Sequence, residues 1–395
     1  MLILKKSFNF DDFEDVLAAV KSERQIRLPT KFSQVGRWGI DVTIIQLLLT
    51  WARAHAVPEI KSYIEDNDDQ GRAAQLSDWG RRLYGVAALY LIKSLVTAQG
   101  TPIPKDEYAR YCLKLSKAMN DADIHSTDEI STTYPQNSGQ VAAQFICLHG
   151  SRFEFLNSLY HNASRDDLLS RTDFTFLVKS AIQKIAVYSD FLKLRPGALD
   201  SLAYLIFELF QNTNDHAYQT PDGLLIHPNL RAFMIRSHSV LADHEHLSQM
   251  QSENPQFNDY LRFCSQQFSE HKSDAQRFLE LSIVDGGVGF AQKLTGKKLS
   301  DLSLQEEIAA TAECFKRGVS SKQSKSRGEG LDNVWKALCE LKGFIRLRTG
   351  RICLFQTFHN RTPQDQRALS LWTKQALEQA CGTAVTIIIP CVPHT

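Results

Sequence analysis

SLAYLIFELFQNTNDHAY, residues 201–218, decides how this chain is read. Leu202, Leu205, Ile206, Leu209 and Phe210 recur at three- and four-residue spacing, the period of an amphipathic helix. Glu208 and Asn212 are four residues apart, which puts both on one face of that helix. A carboxylate there can orient and deprotonate water, and an amide oxygen one turn further can coordinate magnesium. A second permanent negative charge in place of Asn212 would add repulsion toward a phosphate. Asp215 and His216 continue the face by another turn, where His216 can bind phosphate or support the helix end. Asn214 differs in phase from Asn212 and points elsewhere. Taken alone, these residues equally describe a helix with a solvated polar face.

Two glycine-rich turns follow. In ELSIVDGGVGF, residues 280–290, an apolar strand stops at Asp285 and three glycines fall within four residues. Gly287 and Gly289 let the backbone approach a ligand without a Cβ clash, and an aspartate at a strand end can accept the exocyclic amine of adenine. A tight strand-to-helix turn with a capping aspartate is the structural alternative. In SKSRGEGLDNVWKAL, residues 324–338, Gly328 and Gly330 stand at a helix start. Exposed amides and the helix field favour phosphate there. Lys322, Lys325 and Arg327 sit in the preceding loop and can fold over phosphates as a lid. The loop is neither GxxxxGK[ST] nor GxGxxG.

The rest of the chain is read around these elements. At 395 residues it is long enough for two or three domains. We divide it into a small α/β unit at 1–100, a mainly helical region at 101–197 and an α/β unit at 198–395. WGIDVTIIQLLLTWARAH, residues 38–55, is apolar on nearly every side and belongs inside a core. Residues 76–98 are read as one helix, or two divided near Gly85. SRFEFLNSLYHNASRDDLLSR, from residue 151, and TPQDQRALSLWTKQALEQACG, residues 362–382, are both read as helical. The formal charge of +1 gives no support to nucleic-acid binding over the whole surface. The eight cysteines include no CxxC pair, which removes the case for a zinc ribbon or redox dithiol. No apolar run is long enough to span a bilayer. These features predict a soluble, cytoplasmic protein.

Residues 198–391 resemble the ATP-binding domain of the GHKL, or Bergerat-fold, superfamily, which includes histidine kinases, gyrase B and MutL. ELFQNTNDHAY resembles its N box, VDGGVG its DxGxG box, SSKQSKSRGEGLDNV its lid and second glycine box, and GTAVTIIIP its GTxFxxxLP strand. The resemblance implies a C-terminal Bergerat-fold α/β sandwich with a mixed, largely antiparallel sheet, and ATP and Mg2+ as cofactors. It places Glu208 as the catalytic carboxylate that activates water, Asn212 on magnesium and Asp285 on adenine. Gly287, Gly289, Gly328, Gly330, Lys322 and Thr383 fall on the nucleotide, and His216 at the usual histidine of anti-sigma-factor serine kinases. The phosphoacceptor segment of a sensor kinase is not recognisable before residue 198, and neither His149 nor His161 has its setting. The first hundred residues weakly resemble a STAS-like regulatory unit.

The expected function is Mg-dependent ATP binding and hydrolysis used as a regulatory switch. A serine or histidine protein kinase and a non-hydrolysing ATP sensor are the alternatives, since water and a protein hydroxyl approach the same γ-phosphate. The expected partner is another protein or a second copy of the chain, engaged through the N-terminal or middle region.

Overall fold

A computed structural model describes residues 1–29, 31–32, 38–66, 69–121, 141–185, 197–240, 254–267, 276–316 and 330–391. The N-terminal part runs β1 (Leu2–Ile3), α1 (Phe10–Ser22), β2 (Gln25–Arg27), α2 (Ile40–Ala54), β3 (Glu59–Lys61), α3 (Asp69–Gly80), α4 (Leu83–Leu91), β4 (Ser94–Val96), β5 (Pro102–Ile103) and α5 (Lys105–Asp121). Its strands pair in chain order, β1 to β4 parallel and β5 antiparallel. Parallel neighbours need crossover connections, which α1, α2 and the α3–α4 pair supply. The expected division of the 76–98 segment near Gly85 falls earlier, at residues 81–82 between α3 and α4, and β4 follows. Gly85 lies inside α4 because a Cβ there would sit 2.0 Å from the Trp79 carbonyl oxygen; the close crossing requires glycine.

The remainder runs β6 (Val141–Leu148), α6 (Arg171–Ile185), α7 (Ala198–His216), β7 (Leu230–Val240), α8 (Pro255–Gln267), β8 (Gln276–Asp285), α9 (Phe290–Thr295), α10 (Leu304–Glu313), α11 (Gly330–Glu340), β9 (Phe344–Gly350), β10 (Ile352–Thr357), β11 (Ser370–Leu371) and β12 (Ala380–Pro390). Seven strands form one sheet in the order β11-β10-β9-β12-β8-β7-β6. Every pairing in it is antiparallel, where a mixed sheet was expected. The mixed sheet is instead the N-terminal one.

Alternation along these strands serves two cores, as a period-two strand between two layers must. Ala232, Met234, Val284 and Ala384 face the N-terminal helices. Phe233, Ile235, Leu281, Ile283, Val385 and Ile387 face α6, α7 and α11. The large sheet therefore lies between two helical layers, with the small sheet outside one of them. Helix α2 is buried from Ile40 to Ala52 because it fills the space between the two sheets.

Two stretches read as helices are not helical. Residues 151–170 form turns and one short 3-10 segment, Arg165–Asp167. Polar side chains take the backbone groups a helix would use: Asn157 Nδ2 donates to Glu154 O, and Leu159 N donates to Asn157 Oδ1. Residues 362–379 hold turns and β11 instead of a helix. Trp372 N donates to Cys353 O and Leu377 N to Arg351 O, so the segment is drawn along β10. The Trp372 ring packs against Phe10, Phe257 and Phe355. Residues 141–148, within the stretch expected to be mainly helical, form edge strand β6. Among the described residues no helix is long and apolar enough to cross a membrane.

Candidate nucleotide site

Helix α7 carries Tyr204, Glu208 and Asn212 at successive four-residue steps, all half-buried, beside fully packed Leu205, Leu209 and Phe210. Their row borders α11, where Asn333 Nδ2 donates to Tyr204 Oη at 2.7 Å. Burial, then hydrogen bonding to the Glu208 carboxylate, pushes the Tyr204 phenol up to about 12. Arg171 lies over the Tyr204 ring, 3.8 Å from its centroid. Gly330, the first residue of α11, is thus three residues from a group bonded to the Glu208 row. Asp215 and His216 are half-buried in the last turn of α7.

Asp285 ends β8 on the same face of the sheet. Its register partners are Arg231 on β7 and Thr383 on β12, and Thr383 is paired in turn with Thr349 on β9. Paired residues in antiparallel strands share a face, so Arg231, Asp285, Thr383 and Thr349 form a polar row. The row closes the apolar face that ends with Ile283, Val385 and Leu347. The Thr349 and Thr383 hydroxyls are 3.3 Å apart. Burial raises the Asp285 carboxyl from its ordinary 3.8 to about 6, against the Gly287 N–H that donates to it and the charges of Arg53 and Arg231.

The glycine turn meets the end of α7. A Cβ on Gly287 would stand 2.9 Å from Ala217 Cα, the residue following His216. Gly289 has φ +86° and forms the N-cap of α9. On the neighbouring strand Gly382 has φ +68°, and a Cβ there would lie 1.8 Å from the Asp285 carbonyl oxygen. The approach of β12 to Asp285 therefore depends on that glycine.

Asn214 points away from the Glu208–Asn212 face, as its phase predicts. It is buried, with its Oδ1 accepting from Arg231 Nη1 at 2.5 Å and from Tyr160 Oη at 3.0 Å. Arg231 Nη2 lies 3.2 Å from Glu154 Oε1, which also accepts from the Tyr218 hydroxyl. This buried network fixes the end of α7 against β7, and no sequence motif signals it, because its members come from a helix, a strand and loops with no shared spacing. Tyr204, Asn333 and Thr349 were likewise missed. Only the i, i+4 relation of Tyr204 to Glu208 could have pointed to one of them.

Compared with models of protein families, with curated proteins and with solved structures, the chain finds no match.

The structure gathers Glu208, Asn212, Asp215 and His216 on the last half of α7, Gly287 against that helix end, and Asp285 with Thr383 on adjacent strands. Gly330 begins the helix packed on its flank. Lys322 and Gly328 lie outside the described residues. Among the described residues Asn212 makes no side-chain hydrogen bond, which leaves its amide oxygen available to a cation. No three His, Cys, Asp or Glu side chains gather as a metal cage among those residues. Magnesium held by one amide, water and phosphate oxygens needs none.

Proposed function

We propose that this chain binds ATP with magnesium in a GHKL-type site and hydrolyses it as a regulatory switch. The observation that carries the reading is the meeting of three sequence-distant elements: the Glu208–Asn212 face, the Asp285 glycine turn with Thr383 beside it, and the helix opened by Gly330. Asp285 accepts the adenine amine within a desolvated row where a hydrogen bond discriminates strongly. Asn212 holds magnesium, which neutralises charge on the triphosphate. Glu208 orients and deprotonates the attacking water. The family resemblance assigns the phosphates to Gly330, together with Lys322 and Gly328. The wholly antiparallel sheet departs from the mixed sheet of that superfamily.

Incubation of the full chain with γ-labelled ATP and magnesium, with and without cell extract, tests this. Release of free phosphate that Glu208→Gln abolishes supports the reading. A labelled extract protein transfers the same site to protein phosphorylation, and turnover unchanged in Glu208→Gln removes Glu208 as the base.

A further inference from the structure

The glycine turn is held from behind by a residue of the N-terminal unit. Arg53 stands in the last turn of α2, far from the turn in sequence. Its Nη2 donates to Gly286 O at 2.6 Å, while Nε and Nη2 donate to Pro228 O at 3.0 and 2.8 Å. A planar guanidinium bridging two carbonyls fixes their separation and orientation, which a lysine ammonium cannot do. The turn is pressed onto this fork: a Cβ on Gly286 would be 2.7 Å from Arg53 Nη2 and 2.4 Å from Asn229 Oδ1. Asn229 Nδ2 in turn donates to Ala217 O at the end of α7.

Helix α2 reaches this position as a seated rod. At its start Asp41 pairs with Arg236 of β7 at 2.8 Å, both buried. In its middle Gln46 Nε2 donates to Arg348 O at 3.0 Å, and Thr50 Oγ1 accepts from Cys381 N at 2.9 Å. Any displacement of the N-terminal unit is thus felt at Gly286, one residue from Asp285.

We propose that Arg53 is a positioning residue for the glycine turn and the connection through which the N-terminal unit controls nucleotide affinity. The inference rests on the nucleotide reading above. Withdrawal of the fork leaves the Gly286 and Pro228 carbonyls without their charged donor, and the Asp285–Gly287 backbone relaxes from the adenine. By linkage, nucleotide bound at the turn must equally tighten α2 onto the sheet.

The test measures Mg-ATP affinity and melting midpoint for the full chain, Arg53→Lys, Arg53→Met and Leu95→Ala. Leu95 is buried in the N-terminal core, so its truncation lowers stability without touching the fork. Arg53→Met is expected to bind ATP about 10- to 100-fold more weakly, the effect of removing charge-assisted hydrogen bonds, with Arg53→Lys intermediate. Leu95→Ala is expected to keep affinity within about twofold despite a lower midpoint. Hydrogen exchange of residues 40–54 in the unaltered chain supplies a readout independent of variant folding, and ATP is expected to slow it. Unchanged affinity in folded Arg53 variants, affinity loss that merely follows the midpoint in all three variants, or exchange unaffected by ATP overturns the inference while the site reading stands. Absence of ATP binding by the unaltered chain overturns the site reading and this inference with it.

Discussion

Asp285→Asn removes one charge at the end of β8 and keeps the shape of the side chain. Burial holds the Asp285 carboxyl at about 6 instead of 3.8, a displacement worth ~3 kcal/mol at pH 7. A carboxyl whose folded pKa lies above its unfolded one binds its proton more tightly in the native state. Its contribution to stability is complete below pH 3.8 and is lost as pH rises through 6. Asparagine carries no such dependence, and its Oδ1 still accepts from Gly287 N. Allowing for partial exposure of the site, the variant should be about 1–3 kcal/mol more stable at pH 7. That advantage should shrink toward zero near pH 4. Urea unfolding of both proteins at pH 7, 5.5 and 4 reads the difference directly, and an ATP titration at pH 7 should show affinity lower by about 10- to 100-fold. A variant less stable at pH 7, or an offset that does not change with pH, refutes the claim that the carboxylate is held charged against burial.

Gly382→Ala places a Cβ against the Asp285 carbonyl at a positive φ, so calorimetry should show a loss of about 3 kcal/mol or more. Nucleotide affinity should fall with it, because β12 can no longer approach Asp285. Glu154→Ala leaves buried Arg231 without its carboxylate and should cost about 3–5 kcal/mol in denaturant unfolding. Asn212→Ala should leave metal-free ATP binding nearly unchanged and remove most of the magnesium-dependent gain, as paired titrations with and without magnesium will report.

The positions of the candidate residues were more legible than the fold around them. Glu208 and Asn212 could be placed on one face because helical phase is a local property, and Asp285 could be placed at a strand end because ELSIV stops at a glycine run. Strands β9, β10 and β12 were legible for the same reason: β-branched and aromatic runs bounded by glycine have few other uses. The segment at 362–379 misled because LSLWTKQALEQA has good helix formers. Burial of Trp372 among Phe10, Phe257 and Phe355, with Leu377 N bonded to Arg351 O, overrides that preference. The residues around Asn157 misled in the same direction, since their helical spacing concealed side chains that bond nearby backbone groups. Arg53 was not legible at all. Its role depends on α2 lying across the sheet, a long-range arrangement no local pattern encodes.

Asp285 is proposed to read adenine in a magnesium-dependent nucleotide site. Isothermal titration of the unaltered chain with Mg-ATP and Mg-GTP measures this selectivity. The amine of adenine suits the Asp285 carboxylate, whereas guanine turns a carbonyl toward it, so the account predicts ATP binding with GTP at least about tenfold weaker. No binding of ATP, or equal affinity for the two nucleotides, contradicts it.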